Sequence, residues 1–178
     1  SIVYAIADNM NLRAAATQTL ARPTFRELAP YSNAEFVGGY VFTGNPNLKR
    51  TLVANYDLRW EWFFRQGEIV AVSGFYKGFE NPIERVIRLA SSNDNITSQN
   101  VEKARVYGIE LEARKGLGTF TRVLEHVSVG ANVSLIRSFV SIPQDELDAI
   151  RTADQSADDT RPLNGQSPYV VNLDLGYA

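Results

Sequence analysis

The stretch Ala54-Asn55-Tyr56-Asp57-Leu58-Arg59-Trp60-Glu61-Trp62-Phe63-Phe64 decides how this chain folds. Every second residue spells Ala54, Tyr56, Leu58, Trp60, Trp62 and Phe64, while the alternates spell Asn55, Asp57, Arg59 and Glu61. Side chains of a β-strand point alternately to the two faces of its sheet, so this segment stands between an apolar phase and a wet one. Two Trp and a Tyr on one face, opposite a row of carboxylates and a guanidinium, suit a membrane barrel with lipid outside and water inside.

The same reading recurs along the chain. Ile2, Tyr4 and Ile6 alternate up to the turn pair Asp8-Asn9, and Leu12, Ala14, Ala16 and Leu20 continue the pattern to Ala21, which makes a tight hairpin. Residues 22–50 are rich in Pro and Gly and read as a long connection with a short strand around Phe36 to Phe42. The strand Thr51 to Phe64 reverses at Arg65-Gln66-Gly67 and returns as Glu68 to Lys77. Asn81-Pro82 interrupts the pairing, with Ile83 to Leu89 read as an extension of the same strand, and Ser91 to Gln99 as polar turn.

Val101 to Lys115 sets Ile109, Leu111 and Ala113 against Glu110, Glu112 and Arg114. After a turn at Gly116-Leu117-Gly118, Leu124 to Ser141 sets Val127, Val129, Ala131, Val133 and Leu135 against Ser128, Gly130, Asn132 and Ser134. Pro143 to Gly165 is a long acidic loop in which 145–151 has the composition for one or two helical turns. Pro168 to Ala178 opposes Val171, Leu173, Leu175 and Tyr177 to Asn172 and Asp174. Tight turns alternate with long loops, the asymmetry of an outer-membrane barrel. The expected fold is all-β, an antiparallel meander of about seven strands. Seven strands leave two open edges, so the strands that close the barrel are expected outside residues 1–178, which form a partial barrel domain.

Composition bounds the function. The chain has 178 residues, 44% hydrophobic and 11% aromatic, which is too apolar for disorder. A formal net charge of -2 gives no excess of Lys and Arg to neutralise phosphates, so nucleic acid is not an expected partner. No cysteine is present, which removes disulfides and thiolate metal sites. A mean hydropathy of -0.19 is no argument against a membrane, because a barrel strand needs only about 9–11 residues, half of them apolar.

Six phrases occur in an order that resembles the carboxy-terminal half of the barrel of TonB-dependent outer-membrane receptors. They are Leu20-Ala21-Arg22-Pro23-Thr24-Phe25-Arg26-Glu27-Leu28, Gly44-Asn45-Pro46-Asn47-Leu48, Asn55-Tyr56-Asp57-Leu58-Arg59-Trp60-Glu61-Trp62, Phe75-Tyr76-Lys77 with Asn81-Pro82-Ile83-Glu84, Tyr107-Gly108-Ile109-Glu110-Leu111-Glu112, and Gly165-Gln166-Ser167-Pro168-Tyr169. The resemblance implies a 22-stranded transmembrane β-barrel in the outer membrane of a Gram-negative bacterium, filled by an amino-terminal plug. It implies active import of a scarce nutrient, such as a siderophore, another metal chelate or an oligosaccharide, with energy from the inner-membrane TonB complex. Neither the plug nor the TonB-contacting segment lies within these residues. The partners implied are outer-membrane lipid, the plug, TonB and an extracellular ligand; no cofactor or metal is expected, and no enzymatic activity. A passive porin-type barrel and a soluble β-sandwich binding module are the alternatives.

Candidate residues follow from faces and loops. Asn55, Asp57, Arg59, Glu61, Glu110, Glu112, Asn132, Asn172 and Asp174 face the lumen, where they line a path, hold the plug, or form a solvated wall. Glu110 and Glu112 stand roughly 7 Å apart by strand geometry, but nothing around them raises a carboxyl pKa for glycosidase chemistry. Tyr56, Trp60, Trp62 and Tyr177 read as the lipid-facing aromatic belt. Arg26, Glu27, Tyr31, Phe36, Tyr40 and Phe42 are the loop residues of a type that binds a sugar, chelate or hydrophobic ligand. His126, the single histidine, stands beside a turn with no nucleophile motif near it.

Overall fold

The structure is a computed structural model that describes residues 1–34, 41–88 and 95–177. Its strands are β1 (Ile2–Ala7), β2 (Met10–Ala21), β3 (Ser32–Ala34), β4 (Val41–Thr43), β5 (Thr51–Arg65), β6 (Glu68–Glu80), β7 (Ile83–Arg88), β8 (Asn95–Asn100), β9 (Lys103–Gly116), β10 (Val127–Ser141), β11 (Thr160–Arg161) and β12 (Tyr169–Tyr177). Two helices, α1 (Phe25–Leu28) and α2 (Gln144–Ala153), lie in the long connections. Seven long strands pair antiparallel in the order β1-β2-β5-β6-β9-β10-β12, the meander expected of the alternating segments. Strand β11 pairs with the last two residues of β10, beyond the reach of β12.

The register places every alternating segment in phase. Cross-strand rows on one face run Leu12, Trp60, Val72, Leu111, Val133, Val171; then Ala14, Leu58, Gly74, Ile109, Leu135, Tyr169; then Ala16, Tyr56, Tyr76, Tyr107, Arg137; then Gln18, Ala54, Gly78, Arg105, Phe139. The intervening rows carry Arg13, Arg59, Ser73, Glu110 and Ser134, or Asn11, Glu61, Ala71, Glu112, Asn132 and Asn172. A slip of one residue in any pair would turn a whole apolar set to the wet side, so the pattern itself fixes the register. Tyr56, Leu58, Ile109, Leu111, Leu135, Leu173, Leu175 and Tyr177 are all exposed, and the apolar face is continuous across the sheet. Among the described residues no second sheet covers it, which is not the construction of a β-sandwich.

Two tight turns and one slightly longer connection close one end. Gly67, at φ 81°, makes the β5–β6 turn, and a bulge between Phe63 and Arg65 brings the Phe64 ring within 4.1 Å of Trp62. Between β9 and β10 the chain makes two turns of 3-10 helix, at 117–119 and 122–124.

The other end holds the long connections, and here the structure departs from the sequence reading. Ile83 to Arg88 does not extend β6. Asn81 adopts φ 52° and Pro82 cannot donate to the ladder, so the chain leaves the main sheet and β7 pairs with β8 instead. The segment read as polar turn therefore contains a strand, β8, which pairs parallel with β4 more than 50 residues earlier. The short strand read around Phe36 to Phe42 is described only from Val41 onward, where β4 pairs antiparallel with β3. The helical turns read at 145–151 form a ten-residue helix, α2, whose own Leu147 is buried. A small core of Val101, Ala104 and Val140, flanked by Phe79 and Leu163, sits where the sheet meets these connections.

Glycines at two positions of the sheet test the packing on each face. A Cβ on Gly108 would lie 2.5 Å from the Leu135 carbonyl oxygen and 2.7 Å from the Phe75 ring, which lies across it on the polar face. A Cβ on Gly74, on the apolar face, would meet nothing within 4 Å. Gly108→Ala is expected to lower the denaturant midpoint of the folded barrel by the equivalent of about 1–3 kcal/mol, the usual range for overpacking. Gly74→Ala should leave it within about 0.5 kcal/mol. Equal effects would show that the Phe75–Gly108 contact does not constrain the sheet.

Candidate functional site

The polar face gathers the residues that alternation assigned to it. Arg13 Nε donates to Glu61 Oε2 at 2.6 Å, Arg59 Nε donates to Glu61 Oε1 at 2.9 Å, and Arg59 Nη2 donates to Glu112 Oε2 at 2.7 Å. Arg59 also reaches the Ser73 hydroxyl at 3.1 Å. Four alternating charges thus cross from β2 to β9. Arg13 and Arg59 are direct cross-strand partners, a repulsive placement for like charges unless a carboxylate stands between them. Glu61, only 6% exposed, is that carboxylate.

Further along the same face, Asn55 donates to the Thr19 hydroxyl at 3.2 Å and Asn172 donates to Asn132 Oδ1 at 2.7 Å. Asp174 lies over Gly130, which has no side chain to obstruct it. Asp57 and Glu110 are exposed between these groups. All nine residues assigned to the lumen face therefore share one face. Arg13 and Ser73 join them without having been singled out; the alternation of Leu12 and Ala14 around Arg13 was the signal that could have found the first.

The belt residues divide by height along the strands. Trp60 and Trp62 lie toward the tight-turn end with ring centroids 6.3 Å apart, while Tyr56 and Tyr76 pair at 6.3 Å nearer the long connections. Tyr177, 83% exposed, stands by His126 at the tight-turn end with centroids 5.9 Å apart. At that end Glu68 is buried and accepts from Lys115 Nζ at 2.8 Å, an ion pair that no sequence pattern pointed to.

The long connections are tied into one cap. In 22–50, Thr24 and Glu27 form a capping box around α1, with Thr24 N–H donating to Glu27 Oε2 at 2.7 Å. The Asn45 N–H donates to the Glu27 carbonyl at 2.6 Å, and Gly44 lies so close to Ala29 that a Cβ could not fit. The phrase Gly44-Asn45-Pro46 thus closes back on the phrase Pro23-Thr24-Phe25. Asn100 then joins two connections: its side chain accepts from the Lys49 N–H at 2.7 Å and donates to the carbonyls of Lys49 at 3.0 Å and Asn81 at 2.7 Å. Asn45 Nδ2 donates to the Ser98 carbonyl at 3.1 Å, and the Thr97 hydroxyl to the Thr43 carbonyl at 2.8 Å. The third connection is linked through Arg161, which donates to Glu84 at 3.4 Å and lies 3.9 Å from Glu146.

Of the loop residues singled out, Arg26 sits over the Phe42 ring at 5.2 Å, Phe42 is buried, Glu27 is engaged in the cap of α1, and Tyr31 is 53% exposed. Phe36 and Tyr40 lie outside the described residues. Beyond α2, Asp154 accepts from the Ser156 hydroxyl at 2.7 Å and its N–H at 2.9 Å, and these bonds hold its carboxyl below the usual carboxylate range.

Compared with known proteins, residues 1–178 match the family described as TonB dependent receptor-like, beta-barrel. No curated protein matches the chain. Among solved structures it is similar to the siderophore receptor PirA from Pseudomonas aeruginosa, at 19% identity and a TM-score of 0.60 over 78% of this chain and 29% of that one. It is also similar to a mutant of the ferric enterobactin receptor PfeA from the same organism, crystallised with enterobactin, at 16% identity and a TM-score of 0.57 over 97% and 31%. The copper transporter OprC gives 15% identity and a TM-score of 0.56 over 97% and 29%. This chain spans about a third or less of each of those proteins.

Three outcomes are expected. Glu61→Gln should destabilise the sheet by about 1–3 kcal/mol, because two facing guanidiniums lose the negative charge between them and one of its two accepting oxygens becomes an NH2 donor. The loss should shrink when Arg13→Gln is added, and an additive double-mutant cycle would show that the network carries no coupling. Asn100→Ala should make 22–50 and 81–102 susceptible to protease together, where independent loops would yield separately. Because the carboxyl of Asp154 is held low, its stabilisation is complete above the ordinary Asp value and is lost as pH falls through the lowered one. Amide exchange at Ser156, corrected for intrinsic rate, should therefore accelerate only below about pH 4.

Proposed function

The chain belongs to the TonB-dependent receptor-like β-barrel family, and from that premise we propose that it forms part of the wall of an outer-membrane receptor that actively imports a scarce nutrient. The observation that carries the reading is the division of one continuous sheet into an uncovered apolar face and a charged, hydrogen-bonded one, with tight turns at one end and a tied cap at the other. The cap is the extracellular end, and the apolar face meets lipid. The ligand is a siderophore, another metal chelate or an oligosaccharide, and the solved relatives named for a siderophore, ferric enterobactin and copper support the first two.

The charged face lines the lumen beside an amino-terminal plug that lies outside these residues, and the TonB complex drives release of the ligand through it. Asn55, Asp57, Glu110, Asn132, Asn172 and Asp174 give this wall its hydrogen-bonding groups, while Arg13, Arg59, Glu61 and Glu112 neutralise one another. On the cap, Tyr31 and Arg26 contact ligand, and Glu27 and Phe42 shape the segment that presents them. Phe36 and Tyr40 remain ligand contacts in this proposal.

The test is uptake of radiolabelled ferric chelates or oligosaccharides by cells carrying the full-length receptor. Uptake should be lost in cells lacking the TonB complex or treated with a protonophore. Uptake that persists in both would favour a passive porin. Tyr31→Ala should raise the half-saturating ligand concentration about tenfold, the effect of roughly 1.4 kcal/mol, with little change in the number of receptors at the surface.

A further inference from the structure

The apolar face does not end in a plain band. Along β9 its residues run Ala113, Leu111, Ile109, Tyr107 between two cations, Lys115 near the tight turns and Arg105 near the cap. That distance is roughly 33 Å at about 3.3 Å per residue, or roughly 25 Å along the membrane normal at the usual strand tilt, the height of a barrel's apolar band. Arg105 therefore sits at the headgroup level of the outer leaflet. Arg137 stands beside it, facing Tyr107 across the ladder and diagonal to Arg105, whose own partner is Phe139. Diagonal neighbours of this kind are about 7–8 Å apart at the backbone, near enough for two long side chains to converge on one phosphate.

Arg105 is already oriented. Its guanidinium lies 4.9 Å from the centroid of Phe139, and the other neighbour of that ring is Tyr107, stacked at 6.1 Å and 18°. A cation held over a ring in this way still has N–H groups to donate. Among the described residues no carboxylate is in ion-pair range of Arg105 or Arg137. The acids nearby are Glu80 and Glu102, which offset Lys103 as its cross-strand partner and its 3.5 Å ion pair, and Asp158 on the loop beside Arg137.

The surface beneath these cations is grooved because Gly74 and Gly78 put no side chain on it. One groove, of about 760 Å³, runs over Gly74 between Leu58, Ile109 and Leu135 and opens toward Arg137. A second, of about 530 Å³, runs over Gly78 and Ala54 and opens toward Arg105 and Lys103. The Tyr56–Tyr76 pair is the ridge between them. An apolar trough that ends at two guanidiniums matches the shape and charge of an anionic lipid, with its chain in the trough and its phosphate at the cations.

We propose that this face is a binding site for a phosphorylated lipid of the outer leaflet, its acyl chain lying over Gly74 and its phosphate held by Arg105 and Arg137. The inference rests on the outer-membrane reading above. Full-length receptor, purified in detergent and stripped of lipid, would be titrated with a bisphosphorylated diglucosamine acyl lipid and with its dephosphorylated form, with binding read by native mass spectrometry. The phosphorylated lipid is expected to bind the wild type, and Arg105→Gln/Arg137→Gln to weaken it by about tenfold or more. The double variant should keep the circular dichroism spectrum and the uptake of the wild type. Gly74→Leu, which fills the trough, should also lose the lipid.

Unchanged affinity in the double variant would overturn the proposal. So would equal binding of the dephosphorylated form, or equally effective competition by inorganic phosphate, which would leave only a greasy trough or a free anion site. Recovery of the native receptor outside the outer-membrane fraction would instead overturn the functional reading, independently of the titration.

Discussion

Everything in this molecule depends on the strict two-residue period of its long strands, which gives each of them one apolar face and one polar face. The strands run 12–15 residues where they are longest, more than the roughly 9–11 that a bilayer crossing requires. Any error of phase would bring Arg59 and Glu61 into the apolar face and Trp60 and Trp62 into the polar one. The register is thus decided by solvent, not by turn chemistry, and the turns are correspondingly varied: a two-residue link, a glycine at positive φ with a bulge, and a pair of 3-10 turns. Interior packing contributes little, since the buried apolar cluster is confined to the junction with the cap.

On the polar face a second constraint operates. Placing Arg13 opposite Arg59 is unfavourable by itself, and Glu61 and Glu112 convert the repulsion into an alternating chain of charges. The arrangement joins β2, β5 and β9 through side chains in addition to the backbone ladder. Phe75 adds a different kind of link by lying across Gly108, where a cross-strand side chain would otherwise stand.

The seven long strands, their order and their faces were legible in the sequence because alternation is a local signal: each residue reports its own phase. The same signal placed Asn55, Asp57, Arg59, Glu61, Glu110, Glu112, Asn132, Asn172 and Asp174 on one face. The cap was not legible in this way. Strand β8 reads as polar turn because Asn95–Asn100 has no apolar alternation, and its partner in β4 lies far away in sequence. The hydrogen bonds of Asn45 and Asn100 join segments about 50 residues apart, and an asparagine that ties two loops is indistinguishable in sequence from one that ends a turn. The break at Asn81-Pro82 was visible, but not its consequence, that the chain leaves one sheet to found another.

The parallel pairing of β4 with β8 has a bearing on how such a surface can change. Two connections that share a sheet are a single module in the combinatorial sense, even though separate strands anchor them. A length change in one alters the seating of the other, so divergence of 22–50 has to be matched by divergence of 81–102. A graft meant to give another barrel this surface must therefore transplant both segments as a pair.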